Sequence, residues 1–524
     1  MLSNLKTYFN LVLGLRNFLK ETLTLEQCKE IVKKRMEERD INFLDIVKKG
    51  IYENKNSPYL KLLDLAGCEF GDIKSSVSKD GIEQTLQNLR ESGVYLTYDE
   101  FKGRKDVIRG EKTFKFEASD FNSPYISHLL ALRTGGTTGK AEKASVDFEY
   151  MFQNAIYRAL VYDVYKLWEV PFALWLPILP GSAGISALFR STKIGNPPLK
   201  WFSQIDREYI TPSFKHKFRT NGVIYAGRLF GVKLPTPEFV DLNSAVKVAE
   251  WAVEMIREFS GCCISTYPSS AVRICHAAKE RGWDMDGLKF TVGGEPLTRA
   301  KKNEIKSVGA DIVPNYGFTE VGAIGLGCAD PVEPDEVHFL RDSFAMIQHK
   351  RKPLNTGLPV NAFLFTSFAH GVPKILLNVE TGDYGVVESR GCGCGFDKLG
   401  FSEHIHGIRS FGKFTSEGMN LAGTHLIRII EEILPIKYGG DSTDYQLIEE
   451  EDEQGITRLN IFVSPSVGEI NERDLLETVL SELRAENKTI FMPEIFSQAE
   501  TFRIKRAYPI STERGKILSL HIKR

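Results

Sequence analysis

The feature that most constrains the fold of this chain is an alternation that begins near residue 125. Short apolar runs (FALWLPIL, GVIYAG, CCISTYP, LKFTVGG) are separated by stretches with apolar residues at helical spacing, such as AVKVAEWAVEMIREF and SAVRICHAAKERG. A short apolar run bounded by turn residues has the length of a buried strand, and the longer periodic stretches read as amphipathic helices. Their alternation predicts βα units around a largely parallel sheet. Several runs end in glycine or proline where a helix should begin, and ligand sites in such sheets gather at the carboxyl ends of strands.

The flanking regions follow other patterns. Residues 1–124 read mostly as helices; in TLEQCKEIVKKRMEERDINFLDIVKKGI, Thr24 is placed to cap a helix with Glu26 in its first turn. After about residue 355 the segments NAFLFTSF, KILLNV and YGVVES are strand-like. Residues 411–524 mix a hairpin, DYQLIEEEDEQGITRLNIFV, with a helix, NERDLLETVLSELRAEN. The acidic run Glu449–Glu453 reads as a solvated hairpin tip. The expected architecture is therefore a large α/β domain with mainly parallel sheets, formed by a helical N-terminal part (1–124) and a core (125–410), and a small mobile α+β domain (411–524). A length of 524 residues suits more than one domain.

Composition excludes some tasks. The formal net charge is −1, which argues against nucleic acid as a principal partner. Eight cysteines are sparse for this length and point to a reducing, cytoplasmic compartment rather than a disulfide framework. The N-terminal MLSNLKTYFNLVLGLRNFLKE reads as an amphipathic helix, not a signal peptide. Pro171–Phe189 is 19 residues without charge, but its three prolines and two glycines suit a buried strand and tight turn better than a membrane span.

Four short motifs carry chemistry. In Thr134-Gly135-Gly136-Thr137-Thr138-Gly139-Lys140, glycines allow close backbone approach to an anion, hydroxyls add donors and the lysine adds charge. The run fails as a phosphate loop of the NTPase type at both ends, where Thr134 and Ala141 stand. Asn315-Tyr316-Gly317-Phe318-Thr319-Glu320 follows the strand-like ADIVP; its tyrosine could stack on a nucleobase and its carboxylate could hold magnesium. Thr381-Gly382-Asp383 reads as a turn whose aspartate could accept from a ribose diol. Gly515-Lys516 near the C-terminus presents a lysine on a glycine turn.

A further set is Cys328, His338, Cys392 and Cys394, three thiolates and an imidazole that form a tetrahedral zinc complement. With all four ligands supplied by protein, such a zinc is structural. Cys262 and Cys263 lie in an apolar strand-like run and read as core.

In order and separation, TGGTTGK, YGFTE, TGD, Arg409 and the terminal GK resemble the adenylate-forming superfamily of acyl- and aryl-CoA ligases and adenylation domains, from about residue 125 onwards. Tyr267-Pro268-Ser269, Gly293-Gly294-Glu295-Pro296-Leu297 and the Cys394-Gly395 turn resemble its phenylacetate–CoA ligase and acyl-protein synthetase branch. The resemblance implies ATP-dependent conversion of a carboxylic acid to an acyl-AMP, with Mg2+ and a thiol acceptor. Coenzyme A is the expected acceptor; a carrier protein or a protein cysteine stays open. It further implies that Thr134–Lys140 cradles phosphates, that Glu320 holds magnesium with Thr319 beside it as a catalytic residue, and that Asn315, Tyr316, Gly317 and Gly293–Glu295 border the adenine. Asp383 and Arg409 would contact the ribose, and Lys516 the bond being made, before the small domain rotates about Lys413. Gly181, Ala183, Gly322 and Ala323 favour an aromatic or aliphatic acid. The rival from another class is a non-catalytic nucleotide-binding or scaffold protein that keeps the fold. Oligomeric state, a dimer included, is not readable.

Overall fold

The computed structural model describes residues 13–126, 130–133, 143–179, 181–205, 214–352, 359–369, 371–410, 413–416, 419–486, 491–510, 517 and 519–522. The first part is helical as expected. Helix α1 (Leu25–Glu37) starts at Thr24, whose hydroxyl accepts from the Gln27 amide while the Gln27 side chain accepts from Thr24, a reciprocal capping box. Helix α2 (Phe70–Glu91) follows. The N-terminal helix expected over residues 1–21 is helical at 13–20, and residues 1–12 lie outside the described residues.

The alternation then unfolds as read. Helix α3 (Phe148–Val164) leads to β1 (Phe172–Trp175), α4 (Ala183–Lys193), β2 (Lys200–Ser203), β3 (Glu238–Phe239), α5 (Ala245–Phe259), β4 (Cys262–Thr266), α6 (Pro268–Glu280), β5 (Leu288–Val292), α7 (Arg299–Lys306) and β6 (Asp311–Phe318). The strands run parallel in the order β6-β5-β4-β1-β2-β3. Every residue of β1 and β4 is buried, which is why these strands read as unbroken apolar runs rather than alternating ones. Cys262 and Cys263 are core, as expected. Pro171–Phe189 resolves into β1, a turn and the start of α4. No helix among the described residues is long and apolar enough to cross a membrane.

The same sheet continues antiparallel beyond β6. Strands β7 (Gly322–Gly327), β8 (Val337–Phe339), β9 (Phe344–Arg351), β10 (Val360–Ser367), β11 (Val379–Ser389) and β12 (Glu403–Ser410) extend it in the order β9-β10-β11-β12-β8-β7-β6. Strand β6 is the junction, parallel to β5 on one side and antiparallel to β7 on the other. A separate sheet gathers β13 (Tyr445–Glu451), β14 (Thr457–Val463), β15 (Phe502–Arg506) and β16 (Leu520–Ile522). Strands β13 and β14 form the expected hairpin, and the helix Glu472–Glu486 packs on β15 of the same sheet.

Two local readings are corrected. GVIYAG is not a strand but part of the helix Phe214–Leu229; Val223, Ile224 and Ala226 are buried at helical spacing, and a six-residue apolar run cannot by itself separate the two periods. Thr381-Gly382-Asp383 is not a turn but a bulge inside β11. Register passes from Leu364↔Glu380 to Ala362↔Tyr384, so three residues oppose one, and Gly382 takes φ +80.

Candidate functional site

A cavity of about 1000 Å³ opens at the carboxyl ends of β4, β5 and β6 and reaches the β13–β14 hairpin. It brings together Gly293, Gly294, Glu295, Asn315, Tyr316, Gly317, Thr319, Glu320, Asp383 and Arg409, which the sequence scatters over more than a hundred positions. The loop Thr134–Lys140 and Lys516 lie outside the described residues, as do Phe411, Gly412 and Gly418. The strands that flank the loop are described: Leu130–Arg133 and Lys143–Val146 pair antiparallel, with Arg133 opposite Lys143, and Asp147 then caps α3 by accepting from the Tyr150 amide at 3.0 Å.

One corner is built on Asp383. The bulge presents its carboxylate to the cavity, where Oδ2 accepts from the Tyr316 hydroxyl at 3.0 Å and Oδ1 accepts from the Ser410 hydroxyl. Ser410 stands opposite Asp383 in the β11–β12 ladder, so the register itself makes the contact. A carboxylate has about four acceptor positions, so it can take several donors at once. Burial and the Asp383 charge push the Tyr316 phenol well above its ordinary range, so it remains a donor. Arg409, in β12, donates to Asp335 Oδ2 at 3.1 Å and to the Ile408 carbonyl at 2.7 Å. Asp335 also accepts the amides of Gly407 and Ile408, and thereby fixes the strand that carries Arg409.

Glu320 lies after β6 and is buried. The Lys102 ammonium, from the helical N-terminal part, sits 2.5 Å from its Oε1. Burial opposes ionisation of Glu320, but the charges of Lys102 and Lys374 outweigh it and hold the carboxyl below its usual range. The carboxylate is therefore ionised at neutral pH, the state a divalent cation requires.

Glu295 lines the cavity with Gly293 and Gly294, and its carboxylate is held by the protein. It turns inward, accepts from the Ser269 amide (3.3 Å) and hydroxyl (2.6 Å) at the start of α6, and lies 3.4 Å from Lys301 Nζ. An anion at a helix N-terminus satisfies amides that have no intrahelical partner. Pro268 opens that helix, the position where a missing N–H costs least. The backbone of Gly293 and Gly294 borders the cavity beside Glu295: a Cβ on Gly293 would meet the Asn315 carbonyl at 3.0 Å.

The acidic run is also placed differently from the expectation. Glu451 accepts from the Thr298 hydroxyl at 2.8 Å to each oxygen, and lies 3.6 Å from Lys301 Nζ. Lys301 also donates to Thr457 Oγ1 at 3.0 Å. Glu449 and Glu450 line the cavity. Charge alone does not distinguish a solvated run from one that meets a cation on another element.

Cys328, His338, Cys392 and Cys394 converge as expected, with their donor atoms all within 4.8 Å of one another. His338 Nε2 lies 3.2 Å from Cys394 Sγ and 3.6 Å from Cys392 Sγ. His338 Nδ1 is 2.6 Å from the Phe401 carbonyl, which can only accept. That assigns the proton to Nδ1 and leaves the Nε2 lone pair facing the thiols. Behind them, Glu336 receives Arg390 and lies 2.6 Å from the buried His404. The donor set, its spacing and the oriented imidazole fit a tetrahedral zinc.

Sequence reasoning missed Lys102, Asp335, Lys301, Arg158 and Arg190, all of which line the cavity. None belongs to a spaced motif.

No family model matches the chain, and no curated protein matches it. Among solved structures, 2-hydroxyisobutyryl-CoA ligase in complex with 2-HIB-AMP and CoA is similar, with a TM-score of 0.55 at 13% identity over 96% of this chain and 91% of that one. The amide bond synthetase McbA from Marinactinospora thermotolerans aligns with a TM-score of 0.41 at 12% identity over 97% and 98%. The chain has the fold of the adenylate-forming ligases: a large α/β part with one extended sheet and a smaller C-terminal α+β sheet.

Proposed function

We propose that this chain activates a carboxylic acid with ATP, forming an acyl-AMP and pyrophosphate, and then passes the acyl group to a thiol. The observation that carries the reading is the convergence of Tyr316, Asp383, Arg409 and Glu320 in one cavity at the ends of parallel strands. A carboxylate oxygen attacks the α-phosphorus, the bond to the β-phosphate bridging oxygen breaks, and pyrophosphate leaves. Both reactants are anions, so the work is positioning and charge neutralisation.

In this reading Asp383 accepts from the ribose diol, Tyr316 holds Asp383 in place, and the Gly293–Gly294 backbone borders the adenine. Arg409 lies beside them. Glu320, with Thr319, is the magnesium site, where a bound ion would neutralise phosphate charge. Lys102 keeps that carboxylate ionised. Thr134–Lys140 and Lys516 take the phosphate and bond-forming roles. The boundary near residue 410 is the hinge, and the docked β13–β14 hairpin is the part that moves. Coenzyme A is the proposed acceptor. Zinc at Cys328, His338, Cys392 and Cys394 is proposed as structural, in keeping with the phenylacetate–CoA ligase branch. Magnesium-dependent ATP–pyrophosphate exchange over a panel of acids tests the first half-reaction, and mass spectrometry of acyl-CoA products tests the second. Exchange without acyl-CoA would move the acceptor to a carrier protein or a protein cysteine.

A further inference from the structure

The far wall of the cavity holds two arginines. Arg158, on α3, donates to Thr291 Oγ1 at 3.1 Å and to Ser265 Oγ at 3.0 Å, and its guanidinium lies over the rings of Tyr162 and Phe172 at 4.7 and 4.8 Å. Its Nε is buried without a hydrogen-bond partner. Arg190, on α4, donates from Nε to the Ser186 carbonyl at 3.2 Å. Both line the cavity, and neither is paired with a carboxylate among the described residues. Burial, and then the Arg158 charge, lower the Arg190 pKa to about 10; Tyr150 and Tyr162 are the groups that oppose this. Two neighbouring, partly buried cations that line one cavity with no carboxylate partner among the described residues are costly unless a ligand brings an anion.

The anion is not the carboxylate that reacts. That group must meet the α-phosphate at the Glu320 corner. Arg158 is bonded to Ser265 of β4 and Thr291 of β5, whereas Glu320 follows β6 and Asp383 lies on β11.

We propose that the substrate acid carries a second negative group, which Arg158 and Arg190 bind while the first carboxylate is adenylated. This rests on the acid-activation reading and sharpens it. The small residues at Gly181, Ala183, Gly322 and Ala323 then shape the walls, and the arginines set the polarity of the far end.

The test is ATP–pyrophosphate exchange with α,ω-dicarboxylates and monocarboxylates of matched length, on wild type, Arg190→Met, Arg158→Met and Arg190→Lys. Wild type is expected to favour the diacid by about tenfold or more in kcat/KM, the scale of a charge-assisted hydrogen bond. Both Met variants are expected to lose most of that ratio and Arg190→Lys to keep part of it, with KM for ATP unchanged. Exchange with monocarboxylates as good as with diacids overturns the proposal, and so does a Met variant that raises KM for ATP but leaves the acid preference alone. A Met variant that does not fold leaves the wild-type ratio and Arg190→Lys to decide. Exchange with neither set, while ATP still binds, overturns the activation reading itself.

Discussion

Lys102 and Glu320 are 218 positions apart in the chain, yet the ammonium of one lies 2.5 Å from the carboxylate of the other, and both are buried. The pair ties the helical N-terminal part to the end of β6 and sets the charge of the proposed magnesium site. Removing Lys102 takes the nearest cation from a buried carboxylate and leaves only the weaker action of Lys374, so Lys102→Met is expected to destabilise the fold by about 3 kcal/mol in denaturant titration.

The same pair sets a pH dependence. Glu320 is held below its ordinary value, so its stabilising share is present at neutral pH and above the unfolded-state pKa. It is lost as pH falls through the lower folded-state value. The stability difference between wild type and Glu320→Gln is expected to be constant from pH 6 to 8, about two units above the carboxylate range, and to shrink on acidification below it. A difference that grows on acidification contradicts the placement.

In the proposed site Asp383 is the acceptor of the ribose diol, and the Tyr316 hydroxyl, which donates to it, orients it. Asp383→Ala is expected to raise KM for ATP by about 10- to 100-fold, the loss of hydrogen bonds to a charged group. Tyr316→Phe is expected to raise it by less, while keeping kcat within a few-fold, because the Ser410 hydroxyl still holds the other oxygen.

Elemental analysis of the purified chain is expected to find one zinc, and Cys392→Ser with Cys394→Ser to lose it. The double variant is expected to melt several degrees lower, on the scale of about 2–4 °C per kcal/mol for a large domain. Its KM for ATP is expected to stay near wild type, because the cluster serves β7, β8 and β11 rather than the cavity.

The β13–β14 hairpin docks through Glu451 and Thr457 on Thr298 and Lys301. Glu451→Ala is expected to speed amide hydrogen exchange over residues 445–463 while leaving β4 protected, since local opening follows the contacts that are removed.

Much of the fold was legible because burial writes itself into sequence. Strands β1 and β4, covered on both faces, stand out as apolar runs, and Thr24 marks where a helix begins. YGFTE and TGD were legible as motifs because their chemistry sits at strand ends and bulges. The partners of those motifs were not. Lys102, Asp335 and Lys301 reach the cavity from distant elements, and no local pattern distinguishes them from surface charges. The run at Glu451 was misplaced for the same reason: a carboxylate's role depends on which cation the fold brings to it.

The central claim is that these residues form an adenylation site, and magnesium-dependent ATP–pyrophosphate exchange tests it most directly. With a panel of mono- and dicarboxylic acids, wild type is expected to exchange in an acid-dependent manner, and Lys516→Ala to lose exchange by orders of magnitude while still binding ATP. Unchanged exchange in Lys516→Ala would contradict that lysine's role, and no exchange by wild type with any acid would contradict the account as a whole.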